Sequence, residues 1–109
     1  MVKLDIVFSK NNETILKMNV EGHAGFDSKG LDIVCSAISV LVWTFIESVA
    51  SIPGIKYSLS DAEVLHFTLL DSPETEVCLV KGFSVFLLKG LSGIEKNYKN
   101  KLKLTIKGV

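Results

Sequence analysis

The stretch DIVCSAISVLVWTFIESVASIPG, Asp32 to Gly54, decides the fold. Asp32 stands immediately before an apolar run, where a side-chain oxygen caps free backbone N–H groups, and Pro53-Gly54 stops the run. The spacing therefore predicts a helix from Ile33 to about Ser51. Its uncharged part, Ile33 to Ile46, is 14 residues long, short of the roughly 20 that span a bilayer, and reads as a buried helix with no membrane partner. Val34, Ile38, Leu41, Val42, Trp43, Phe45, Ile46 and Val49 are interrupted by few polar residues, Ser36, Ser39, Glu47 and Ser48 among them. A surface helix of a monomer has a wider polar side. A sheet covers one face, and a second subunit is expected to cover part of another.

Upstream, Val2, Leu4, Ile6 and Phe8 alternate with mostly polar neighbours, and Leu16, Met18 and Val20 repeat that period of two after Lys10-Asn11-Asn12. These are two strands of a hairpin. The glycines of EGHAGFDSKGL, Glu21 to Leu31, break periodicity and mark a loop. Downstream, Ile55 to Ser60 and Val64 to Leu70 read as two strands, the second with Leu65, Phe67 and Leu69 on one face. Ser72 as cap and Pro73 at the first helical position open a second helix that runs to about Tyr98, with Gly82 and Gly90 able to bend it. Leu102, Leu104 and Ile106 alternate with Lys101, Lys103 and Lys107 in a final strand with one solvated face. The expected architecture is a two-layer α+β domain over residues 1–109. A five-stranded mixed sheet carries both helices on one face, in the order β-β-α-β-β-α-β.

The 109 residues include twelve lysines, twelve acids and two cysteines, and 48% are hydrophobic. Folding a chain of this length buries roughly two-thirds of its unfolded surface, enough for one core without staples. The neutral balance, and the absence of arginine with its bidentate fork, argue against a direct nucleic-acid partner. Two cysteines without a CxxC pair suit a reducing, cytoplasmic setting. MVKLDIVFSK has too short an apolar stretch for a signal peptide, so export is not expected.

Two His and two Cys form an internal echo: His23 precedes Cys35 by twelve residues, and His66 precedes Cys78 by the same distance. As a zinc set the four lack the close ligand pairs that structural sites use, so no metal and no cofactor is expected. Cys35, third in the first helix, sits beside N–H groups without intrahelical partners and at the positive end of the dipole, a position that lowers a thiol's pKa. With Ser72 as cap, Cys78 falls sixth in its helix, where the dipole has faded, with Glu74 on the same face. It reads as a small buried apolar residue, and His66 as a sheet-surface or hydrogen-bonded histidine. Position and spacing leave two readings of Cys35 and His23 open: a catalytic dyad, or a core cysteine and an incidental loop histidine.

The run GHAGFDSKGLDIVCSAISVL, Gly22 to Leu41, resembles the bacterial ribosomal-processing cysteine proteases, the Prp family. The shared pattern is a Gly-His pair, a glycine-rich loop, Asp-Ile-Val-Cys and a Ser one turn later. Here it falls on Gly22, His23, Gly25, Gly30, Asp32, Ile33, Val34, Cys35 and Ser39. Ser36 departs from the Ala expected after the cysteine. The resemblance implies a small homodimeric cysteine endopeptidase that removes the N-terminal extension of a bacterial large-subunit ribosomal protein, number twenty-seven. Cys35 would be its nucleophile and His23 its general base and acid, with Gly22, Asp32 and Ser39 in support. Asp32 and Ser39, and after them Glu21 and Asp27, are candidates to orient His23. The loop Ala24, Gly25, Phe26, Asp27, Ser28, Lys29, Gly30 and Leu31 has hinge chemistry suited to closing over bound peptide. The competing reading is a non-catalytic ribosome-associated protein-binding module, a common role for small neutral α+β domains.

Overall fold

The computed structural model describes residues 1–22 and 33–109. Strand β1 (Val2–Ser9) turns through residues 10–13 into β2 (Thr14–Glu21). Glu13 takes the left-handed conformation (φ 56°) and its N–H donates to the Ser9 carbonyl at 2.7 Å, closing the turn. Helix α1 (Ile33–Ala50) follows, then β3 (Lys56–Asp61), β4 (Leu65–Asp71), helix α2 (Val77–Asn97) and β5 (Leu102–Gly108). The expected order and fold class are what the chain adopts. The sheet runs β3-β4-β2-β1-β5 and is mixed, because β5 lies parallel to β1 while the other pairs are antiparallel.

Period-two alternation turns Val2, Leu4, Ile6, Met18, Val20, Leu65, Phe67 and Leu102 toward one core. There they meet Val34, Ile38, Val42, Phe45, Ile46 and Val49 of α1 and Leu87 and Leu91 of α2. Phe45 sets its ring edge against Phe67 at 5.6 Å between centroids. Each such side chain contributes about 1.5–3 kcal/mol on full burial. Two segments, Ile33–Ala50 and Glu74–Asn97, are long and apolar enough to cross a membrane by composition. In this structure they instead pack their core-facing residues on the sheet.

Three details depart from the sequence reading, each for a tertiary reason. A register shift between Val7 and Phe8 sets Ile15 opposite Phe8, so Ile15 is fully buried and Leu16 only half-buried. Strands β3 and β4 each begin one residue late, and Ile55 is held in a turn by its N–H bond to the Ile52 carbonyl. The third departure is the start of α2. Ser72 makes no cap and Pro73 stays extended at ψ 139°; a 3-10 turn at Glu74–Glu76 intervenes, and the α-helix begins at Val77. Pro73 is wedged against Gly54, whose positive φ of 83° turns the chain between α1 and β3. A Cβ at Gly54 would sit 2.7 Å from the Pro73 ring.

Candidate active site

Helix α1 carries Cys35 as its third residue, half-buried and packed against the core beside buried Val34. Ser39, one turn further, is also half-buried, while Ile33 and Ser36 face solvent. The thiol is thus held by packing against the core, on the helix turn whose N–H groups have no intrahelical partner.

Across the sheet layer, β2 delivers the chain to Gly22. Gly22 has φ +70°, and a Cβ there would stand 2.7 Å from the Met1 carbonyl oxygen and 3.7 Å from Val2 Cα. Only glycine meets both demands, a left-handed backbone and direct contact with the start of β1. Gly22 therefore fixes the point from which the segment bearing His23 departs. His23, the loop Ala24–Leu31 and Asp32 lie outside the described residues, as does any contact between His23 and Cys35. Cys35, Ser39 and Gly22 are the parts of the sequence-derived site that the structure locates.

The second His-Cys pair does not form a site. His66 points to the open face of the sheet, where Nδ1 lies 2.6 Å from Asn19 Oδ1, as a sheet-surface hydrogen-bonded histidine should. Cys78 belongs to the helical layer on the other side. It is exposed rather than buried, and with α2 beginning at Val77 it is the second helical residue, not the sixth. The delayed helix start corrects both expectations. Lys81, one turn on, forms an ion pair with Glu13 of the hairpin turn at 2.5 Å, and that carboxylate raises the Lys81 pKa above 10.5.

One feature of the helical layer exceeds what periodicity indicated. A groove of about 230 Å³ runs between α1 and α2, lined by Val40, Leu41, Thr44, Phe83 and Phe86 among others. Val40 is 64% exposed and Phe86 72%. The α1 half of this surface was legible in its shortage of polar residues. The α2 half was not, because Phe86 looks like any other apolar position until the helix is phased against the sheet.

A half-buried cysteine on the first turn of a helix packed on a mixed five-stranded sheet suits a small α+β thiol enzyme. The family model for cysteine protease Prp matches residues 1–103, and the chain belongs to that family. It is a cysteine protease. A relative from Bacillus subtilis (strain 168), the ribosomal processing cysteine protease Prp, is 26% identical over 99 residues, spanning 87% of this chain and 88% of its own. Among solved structures, SMU.848 from Streptococcus mutans superposes with a TM-score of 0.81 at 19% identity, covering 100% of this chain and 99% of its own. The S. aureus Prp in complex with a substrate peptide gives 0.78 at 18% identity, covering 98% and 100%.

Proposed function

We propose that this enzyme is a cytoplasmic cysteine endopeptidase that removes the N-terminal extension of a bacterial large-subunit ribosomal protein, number twenty-seven, through a Cys35-His23 dyad. The observation that carries the reading is the placement of Cys35 on the first turn of α1, half-buried and packed on the core, in a chain of the Prp family. The names of the relatives support a ribosomal substrate: the B. subtilis protein is a ribosomal processing protease, and S. aureus Prp has been solved with a substrate peptide and with a covalently linked product peptide.

The helix N-terminus favours the thiolate of Cys35, which attacks the scissile carbonyl carbon and forms a C–S bond. N–H groups of that first helical turn take the charge developing on the oxygen. His23 donates a proton to the departing amine as the C–N bond breaks, then takes one from the water that hydrolyses the thioester. Asp32 and Ser39 are the candidates to orient His23, and the loop Ala24–Leu31 closes over the extended peptide. No cofactor enters the cycle.

The enzyme works as a homodimer. The apolar groove between α1 and α2 supports this reading, because Val40 and Phe86 stand exposed beside it where a second copy of the chain would cover them. Incubation with the extended ribosomal protein tests the activity. Wild type should cut it, and Cys35→Ala and His23→Ala should not; equal cutting by the variants would overturn the dyad. Light scattering tests the dimer, which Phe86→Lys should dissociate, and a monomeric wild type at micromolar concentration would overturn it.

A further inference from the structure

The zero net charge is an average over segments of opposite sign. Residues 33–76 hold six acids and one lysine, whereas residues 77–109 hold seven lysines and one glutamate. Topology turns this into a polarity of the molecule, since β3 and β4 form one edge of the sheet and β5 forms the other. Charge segregation of this kind marks a surface for a charged partner even where the total is zero.

The lysines of the basic edge converge on the sheet face that carries no helix. Leu102 is buried against the core and Leu104 packs on it, so Lys103 and Lys107 project to the open side. Pairing sets Lys3 directly opposite Lys103, and Val7 opposite both Lys107 and Lys17. Lys3, Lys17, Lys103 and Lys107 thus frame a patch about 13 Å along the strands and about 10 Å across them. Asp5 lies at its centre and Glu21 at one corner. All four lysines are exposed and none is in an ion pair among the described residues. Two like charges set directly across a strand pair oppose folding, and Lys3 with Lys103 is such a pair.

The rest of the open face says what kind of anion fits. Beyond the lysines it presents Thr105, Asn19, His66, Thr68, Ser58 and Ser60, all hydrogen-bonding side chains. A lipid surface would require apolar or aromatic residues to insert. Val7 is the apolar residue inside the frame, the exposed Leu70 lies outside it near the end of β4, and the exposed Phe86 stands on the helical layer. Without an aromatic platform or arginine, the face cannot stack or read bases.

We propose that this open face binds the phosphodiester backbone of a nucleic acid without reading its sequence. This revises the expectation drawn from the neutral total. Cys35 and the apolar groove lie in the opposite layer, so the two surfaces can be occupied together. The inference is independent of the proteolytic reading, because its test measures binding and not cleavage.

The test is fluorescence anisotropy of labelled duplex RNA and duplex DNA of one sequence, titrated with the full chain. With about four phosphates neutralised, the log–log salt slope should be about −3.6, a loss of roughly 150-fold between about 50 and about 200 mM salt. Lys103→Gln with Lys107→Gln should weaken binding at least ~10-fold and flatten the slope by about 1.5–2. Lys3→Gln with Lys17→Gln should act alike, and Lys56→Gln at the far edge should leave binding unchanged. Unaltered thermal melts show that the variants fold, and tighter binding to RNA or to DNA identifies the source while supporting the proposal. It is overturned if neither duplex binds, or if both double variants bind like wild type. Equal binding to phosphatidylserine vesicles, or low-salt self-association in place of duplex binding, would also overturn it.

Discussion

Replacing Gly22 by alanine should both destabilise the fold and slow the enzyme. An L-residue at φ +70° costs about 1–2 kcal/mol in backbone strain. The new Cβ would also lie 2.7 Å from the Met1 carbonyl oxygen, a backbone atom that cannot swing aside as a side chain can. Relief requires moving the start of β1, which is hydrogen-bonded to the turn before β5 through Val2 N–H and the Lys101 carbonyl at 3.0 Å. Adding about 1–2 kcal/mol for this displacement gives a total of about 2–4 kcal/mol, near the top of the usual range for a point mutation. For a domain of this size each kcal/mol lowers Tm by about 4–8 °C, so the expected drop is at least ~8 °C. Gly22→Asn separates the two causes. Asparagine tolerates the left-handed region but keeps the Cβ, so it should recover only the strain part. Urea denaturation by circular dichroism gives the energies, and peptide hydrolysis should slow in both variants, because the segment bearing His23 starts from this residue. A Gly22→Ala protein within about 0.5 kcal/mol of wild type would refute the reasoning.

Ser84 is fully buried, and its hydroxyl accepts from the Ile15 N–H at 3.0 Å while donating to the Val80 carbonyl at 2.8 Å. Ser84→Ala should therefore cost about 1–3 kcal/mol in urea unfolding, the penalty of an unsatisfied buried N–H. A Cβ at Gly93 meets nothing within 4 Å, whereas one at Gly90 would come within 3.0 Å of Leu41 Cδ1. Gly93→Ala should accordingly stabilise by about 0.5–1 kcal/mol, while Gly90→Ala should lose that gain to crowding between α1 and α2, as paired melts would reveal. Lys81 has its pKa raised by Glu13. At alkaline pH the pair's stabilisation is therefore kept while Lys81 stays protonated and is lost as pH rises through its raised pKa; wild type and Glu13→Gln should converge in stability above it. Because Cys78 is exposed, iodoacetamide labelling of Cys35 belongs in a Cys78→Ser background. There Cys35 should be alkylated at slightly acidic pH, and His23→Ala should slow it by mass-spectrometric readout.

Alternation and helical spacing were enough to place five strands and two helices in order, because side-chain burial follows a period of two in strands and about 3.6 in helices whatever the partners are. The same local rules put Cys35 on the first turn of α1, and Gly22 at the end of β2. Tertiary contact decided the rest. Pro73 looked like the first residue of a helix, a role its fixed φ permits, but packing against Gly54 holds it extended and delays α2 to Val77. That one contact moved Cys78 from a buried position in mid-helix to an exposed one near the helix start. Ile15 entered the core in place of Leu16 because a bulge, invisible to a strict alternation, shifted the register.

The sequence by itself determined the element types, their order and the cysteine-bearing helix turn, since each depends on residues close together in the chain. It also determined the total charge, which is zero. Where those charges stand was decided by the tertiary structure. Strand order and register brought Lys3 and Lys17 from the first hairpin beside Lys103 and Lys107 from the last strand, and sent the acidic segment to the opposite edge. Summing charges along a chain discards position, and only the pairing of distant strands restores it.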